Sequence, residues 1–171
     1  EKGLEPYDPA REEEVFGKLD DLNEGPLETA SLRMIYREVV SASIALQKDL
    51  VIGYLGPEAT FTHQAAMKNF GSALSYRPLL DITDVFREVE RGECDYGVVP
   101  VENSTYGTVS DTFDMFYQTS ANICGEISLR IHHHLLSHGG VEHLEEICSH
   151  PQALGQCRRW LQRHVPHCQL I

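Results

Sequence analysis

Glu102-Asn103-Ser104-Thr105 follows a run of β-branched side chains, Val98-Val99-Pro100-Val101, and precedes a stretch with helical spacing from residue 109. Amide and hydroxyl groups in that place stand beside the backbone N–H groups that open a helix, an arrangement suited to holding an anion such as a carboxylate. Open α/β sheets seat their ligands there, outside the carboxyl end of a strand. A second group of the same kind occurs at Thr60, where the turn Gly56-Pro57-Glu58-Ala59 separates the apolar run Val51-Ile52-Gly53-Tyr54-Leu55 from a new helical pattern. The same arrangement also describes an ordinary helix cap. Glu102 either orients a neighbouring side chain or lies on the surface.

Two other groups invite chemistry. Ser43 and Gln47 stand four residues apart and line up with Tyr36, Val39, Val40 and Leu50, which puts them inside an apolar stripe where they need partners. Either an interhelical hydrogen bond or a polar ligand site inside a helical bundle meets that need. His132-His133-His134 offers imidazoles, but in a strand His132 and His134 share one face while His133 points away, and no second pair stands at ligand spacing. No metal and no cofactor is expected.

The elements that position these residues follow from periodicity. Asp8 as N-cap, Pro9 at the first helical position and the carboxylates after it start a helix that stops by Asn23-Glu24-Gly25-Pro26. A second helix is predicted over residues 29–47, with Leu32, Ile35, Tyr36, Val39, Val40 and Leu46 on one side, giving an antiparallel hairpin. Strands are then predicted at 51–55, 73–77 and 94–101, alternating with helices from 60 (Phe61, Ala65, Ala66 and Phe70 inward, Gly71 as cap) and over 81–91 (Ile82, Val85, Phe86 and Val89 inward). This βαβαβ order calls for a parallel sheet with right-handed crossovers. A helix over 109–118, an extended crossover over 123–136, a strand at 147–150, a helix over 152–164 with Leu154, Trp160 and Leu161 inward, and a strand opening at 168–171 complete the chain. That last strand leaves a second lobe expected to be incomplete.

Composition narrows the partners. With 14 Lys and Arg against 26 Asp and Glu, the formal charge of −12 argues against nucleic acid and against an anionic membrane surface. Five cysteines with no Cys-x-x-Cys pair fit free thiols in a reducing compartment, so a cytoplasmic location is expected. No run approaches the ~18 apolar residues of a membrane span, and no signal peptide is evident.

Read together, these residues closely resemble the bifunctional chorismate mutase–prephenate dehydratase family of phenylalanine biosynthesis. Residues 50–171 resemble the first two thirds of the dehydratase domain through Tyr54-Leu55-Gly56-Pro57-Glu58-Ala59-Thr60-Phe61-Thr62, Val99-Pro100-Val101-Glu102-Asn103-Ser104 and His150-Pro151-Gln152-Ala153-Leu154 with Gln156-Cys157. Residues 1–49 resemble the second and third helices of the all-α mutase through Asp8-Pro9-Ala10-Arg11-Glu12 and the Ser43 and Gln47 pair. The resemblance implies an α/β, periplasmic-binding-protein-like dehydratase of two lobes, preceded by a helical hairpin from the mutase domain. Two positions depart from the pattern: Ala59 replaces a glycine, which alanine can follow only where φ stays negative, and Tyr106 replaces a glutamate.

The implied dehydratase chemistry removes CO₂ and water from prephenate, driven by aromatisation, and needs positioned donors and a general acid rather than a nucleophile or metal. Thr60, Asn103 and Ser104 are the expected catalytic residues, with Thr105 and Glu102 binding substrate. The threonine expected to act as main acid, in a Thr-Arg-Phe motif, lies beyond Ile171, as does the regulatory domain through which phenylalanine acts. The mutase reaction is pericyclic and needs only a compact conformer of chorismate with charges placed around it. By resemblance Arg11 binds that substrate, Glu12 and Gln47 face its ether and hydroxyl oxygens, and Asp8 and Ser43 assist. The first mutase helix, with further arginines, precedes Glu1, so this chain is expected to lack mutase activity and to be inactive alone. A homodimer is expected, because the apolar stripe of the hairpin needs a partner. The competing reading is a two-lobed module that binds a small anion without transforming it.

Overall fold

The computed structural model describes residues 7–103 and 107–171. Asp8 turns the chain into α1 (Pro9–Leu22), its carboxylate accepting from the N–H groups of Ala10 (3.0 Å) and Arg11 (3.2 Å). Asn23 and the turn through Gly25 lead into α2 (Thr29–Ala45), which ends two residues before the predicted boundary. The ion pairs Glu12–Arg37 and Asp20–Arg33 show the two helices running antiparallel. Phe16 is buried between them, with the Arg37 guanidinium 4.5 Å from its ring centroid.

The face that α2 buries is not the one its hydrophobic pattern marks. Ile35, Tyr36, Val39 and Leu46 are exposed, whereas Ser41 and Ile44 are buried. The reason is local geometry. Gly71, at φ +78°, brings its backbone against Ser41, where a Cβ would collide, and the Ser41 hydroxyl accepts the Ala73 N–H (3.2 Å). Glu38 accepts the N–H of Ser72 at 3.0 Å. A polar face thus supplies the acceptors that the 71–73 turn lacks.

Beyond the hairpin, β1 (Val51–Leu55), α3 (Phe61–Phe70), β2 (Ser75–Leu79), α4 (Ile82–Glu90) and β3 (Tyr96–Val98) form a parallel sheet of order β2-β1-β3. Ile52 faces Tyr76 and Tyr96 in register, and Tyr54 faces Pro78 and Val98. Pro78 is accommodated because β2 is an edge strand. The β2 ladder starts two residues later than predicted, since Ala73 is held by α2 and Leu74 is in the core. The β3 ladder is also shorter, stopping before Pro100, which has no N–H to donate.

After β3, Glu102–Asn103 (β4) and Gly107–Thr108 (β5) pair as an antiparallel ribbon before α5 (Ser110–Gln118), where a direct loop into the helix was expected. Tyr7 and Ile44 share one core with Leu50, Ile52, Tyr54, Ala66, Phe70, Leu74 and Val98, so hairpin and sheet belong to one compact unit, Glu1–Leu129.

The second unit, Arg130–Ile171, is a small β–α–β fold. Its strands β6 (Glu146–Ile147) and β7 (Gln169–Leu170) pair in parallel around α6 (Pro151–His164), over a core of Ile147, Leu161 and Val165. Trp160, expected inward, is 45% exposed and stacks on His164 with ring centroids 4.4 Å apart. The His132-His133-His134 run is exposed and irregular rather than a strand, with His133 Nε2 2.5 Å from Gln156 Oε1. Among the described residues no helix is long and apolar enough to cross a membrane.

Asp95 fastens the start of β1 to the start of β3. Its carboxylate accepts the Val51 N–H (3.0 Å) and the Lys48 ammonium (2.5 Å), while its own N–H donates to the Val51 carbonyl (2.8 Å). Burial alone would raise its pKa, but Lys48 and the Val51 N–H outweigh burial and hold it below the ordinary aspartate range. Stability from this carboxylate is therefore complete above the unfolded-state pKa of about 4 and is lost as pH falls through the lower folded value. Asp95→Asn is expected to cost about 1–3 kcal/mol at pH 7 and to flatten the acid limb of stability, measured by urea unfolding between neutral and acidic pH.

Candidate active site

Because β1 and β3 are adjacent and parallel, the loops that follow them leave the sheet at the same edge. Thr60 is the N-cap of α3: its Oγ1 accepts the His63 N–H at 3.4 Å and donates to the Leu55 carbonyl at 3.2 Å, which fixes the turn after β1. His63 reaches back so that its Nδ1 accepts the Ala59 N–H at 3.1 Å. That bond places the proton of the neutral imidazole on Nε2. The His63 ring lies flat on Tyr54, centroids 4.5 Å apart and 7° from parallel. Tyr54 is buried, and its hydroxyl has no hydrogen-bond partner among the described residues. Burial first, and the Glu58 carboxylate second, raise its pKa, so it stays a protonated donor.

At this edge Gly56, Pro57, Glu58, Pro78, Leu79 and Leu80 line an open hollow of about 480 Å³. The turn above it is tied down by the Gly56 N–H, which donates to the Leu79 carbonyl at 2.8 Å. On the β3 side, the buried Thr112 hydroxyl donates to the Pro100 carbonyl at 2.7 Å and anchors the chain entering β4. Asn103 lies on β4, half-buried, while α5 begins only at Ser110 and has no side-chain cap. Asn103 is therefore on a ribbon and not at a helix N-terminus, as the sequence pattern suggests. Glu102 is exposed on the same strand. Ser104 and Thr105 lie outside the described residues.

In the hairpin, the residues matched to the mutase are exposed or engaged in local contacts. Arg11 is exposed, and Asp8 is committed to capping α1. Glu12 pairs with Arg37; burial raises its pKa and the guanidinium only partly offsets that. Ser43 and Gln47 are exposed together with Tyr36 and Val39, while Val40 is half-buried and Leu50 is buried. Their bonds stay within their own segment, Ser43 Oγ to the Val39 carbonyl (2.7 Å) and Gln47 Nε2 to the Ser43 carbonyl (3.2 Å), in place of an interhelical bond. Arg33 and Arg37 are the cations that pair across the two helices. Their i,i+4 spacing opposite Glu12, Glu13 and Asp20 was the available signal.

A family model described as "Prephenate dehydratase" matches residues 52–171, and one described as "Chorismate mutase type II" matches residues 1–48. The chain belongs to the prephenate dehydratase family. A bifunctional chorismate mutase/prephenate dehydratase of Pseudomonas aeruginosa is 46% identical over 167 residues, covering 96% of this chain and 46% of that protein. A prephenate dehydratase of Lactococcus lactis is 39% identical over 122 residues, covering 70% of this chain and 43% of that protein. The chain thus spans about half the length of the curated relatives it matches. Among solved structures, the prephenate dehydratase from Arthrobacter aurescens in complex with L-Phe is 28% identical with a TM-score of 0.55, over 71% of this chain and 42% of that one.

One departure from the dehydratase pattern has a structural cost. Ala59, which replaces the glycine of the family pattern, sits at φ +64°, so the turn does require the left-handed conformation that alanine adopts only at a cost. A left-handed conformation costs an alanine about 1–2 kcal/mol, while glycine loses about 0.5–1 kcal/mol of extra backbone entropy on folding. Ala59→Gly is therefore expected to raise stability by about 0.5–1 kcal/mol, and Ala59→Val to lower it, both read from chemical denaturation midpoints.

Proposed function

We propose that residues 50–171 form part of a dehydratase that removes CO₂ and water from prephenate to give phenylpyruvate. The observation that carries this reading is that two dehydratase motifs leave one edge of one parallel sheet, within a family match over residues 52–171. Thr60, Asn103 and Ser104 are assigned to catalysis and Thr105 and Glu102 to substrate binding, with the first turn of α3 receiving a carboxylate. This lets an acidic protein bind an acidic ligand without a large positive patch. The second unit contributes to a second lobe, in a two-lobed, periplasmic-binding-protein-like arrangement.

Residues 1–49 are assigned to a mutase that rearranges chorismate to prephenate, supported by the match to chorismate mutase type II. Arg11, Glu12 and Gln47 are its proposed catalytic residues, and Asp8 and Ser43 its binding residues. The match of these residues to a second enzyme family is what disfavours a non-catalytic anion-binding module. The relative solved with L-Phe supports phenylalanine as an effector of the whole protein. The exposed Ile35, Tyr36 and Val39 on α2 support a homodimer, and five free cysteines a cytoplasmic location.

The test is made in the protein extended to the full length of its relatives. Wild type is expected to form phenylpyruvate from prephenate, and Thr60→Ala and Asn103→Ala each to lower kcat/KM about tenfold or more, with circular dichroism confirming that both fold. Wild-type kcat/KM in both folded variants would refute the assignment.

A further inference from the structure

Tyr54 is fully buried, yet its hydroxyl is an orphan among the described residues. A hydroxyl sealed from water without a partner is destabilising, and phenylalanine would fill the same space without that penalty. Two polar side-chain atoms of the adjoining turn are already engaged. His63 Nδ1 accepts from Ala59, and Thr60 Oγ1 bonds Leu55 and His63. In the strand ladder Tyr54 is flanked by Pro78 and Val98, neither of which carries a polar side chain.

The position of the hydroxyl indicates what it is kept for. Tyr54 is the penultimate residue of β1, at the carboxyl edge of the sheet, and its ring is stacked on His63 in the first turn of α3. The Glu58 carboxylate, in the turn before α3, adds to burial in raising the Tyr54 pKa, so the phenol stays protonated. The helix N-terminus there favours negative charge, and a protonated phenol can donate to it. Glu58 itself is exposed, so solvent screens its repulsion of an anion.

We infer that Tyr54 is a substrate-binding residue, its hydroxyl donating a hydrogen bond to a ligand carboxylate received at the first turn of α3. This rests on reading the sheet edge as a carboxylate site and names a contact which that reading did not contain. It also explains why a buried strand position carries tyrosine: the hydroxyl finds no partner among the described residues and gains one from the ligand.

Tyr54→Phe in the full-length protein separates the possibilities. The expected result is an unchanged or raised melting temperature together with a KM for prephenate about tenfold higher, the scale of one hydrogen bond to a charged group. The affinity for phenylpyruvate, titrated directly, should fall by a similar factor. A stabilised variant with unchanged KM and phenylpyruvate affinity would overturn the inference, and so would a destabilised one, which would reveal a partner inside the fold. Should wild type not consume prephenate, the dehydratase reading fails by itself. The tyrosine contact is still decided by whether the ¹³Cζ signal of Tyr54 shifts on adding phenylpyruvate.

Discussion

Parallel pairing of β1 with both of its neighbours is the constraint from which the site follows. Parallel strands cannot be joined by tight turns, so each connection is a crossover through a helix, and such crossovers are right-handed. With β2 on one side of β1 and β3 on the other, that handedness sends α3 and α4 to opposite faces. The side chains agree: Ile52 and Tyr54 pack with Ala66 and Phe70 of α3, while a Cβ at Gly97 would meet Val85 of α4 at 2.8 Å. Consequently the loops after β1 and β3 emerge side by side at one edge, the first leading to Thr60 and the second to the ribbon that carries Asn103.

The helical hairpin is bound to this sheet more closely than a tethered domain would be. Tyr7 packs against Phe70 with ring centroids 4.7 Å apart and against Tyr96 at 5.1 Å, and its hydroxyl accepts from Asn69 at 2.8 Å. Ser41 and Glu38 of α2 satisfy the turn after α3. The hairpin therefore braces the end of α3 opposite to the one that carries Thr60. Its apolar stripe is left exposed as a result, because α2 presents a polar face to the turn.

Much of this was legible in the chain. The N-cap at Asp8, the helix α4 with Ile82, Val85 and Phe86 inward, and the βαβαβ order follow from local signals that agree with the tertiary structure. What failed depended on contacts distant in sequence. Hydrophobic spacing marks Ile35, Tyr36 and Val39 as the buried side of α2, and nothing local reveals that Gly71 makes room for Ser41. The ribbon of β4 and β5 was hidden because its polar residues read equally well as a loop entering a helix, although Gly107, at φ +79°, is a hairpin signal within five residues of Glu102. The orphan hydroxyl of Tyr54 has no sequence signature at all, since tyrosine is an ordinary strand residue.

The central claim is that the carboxyl edge of the β2-β1-β3 sheet, between the turn at Thr60 and the ribbon at Asn103, receives the substrate carboxylate. A crystal structure of the full-length protein with phenylpyruvate bound tests it most directly. The account predicts the ligand carboxylate at the first turn of α3, with an oxygen within hydrogen-bond distance of the Tyr54 hydroxyl. A ligand seated elsewhere, with that hydroxyl still unpaired, would contradict it.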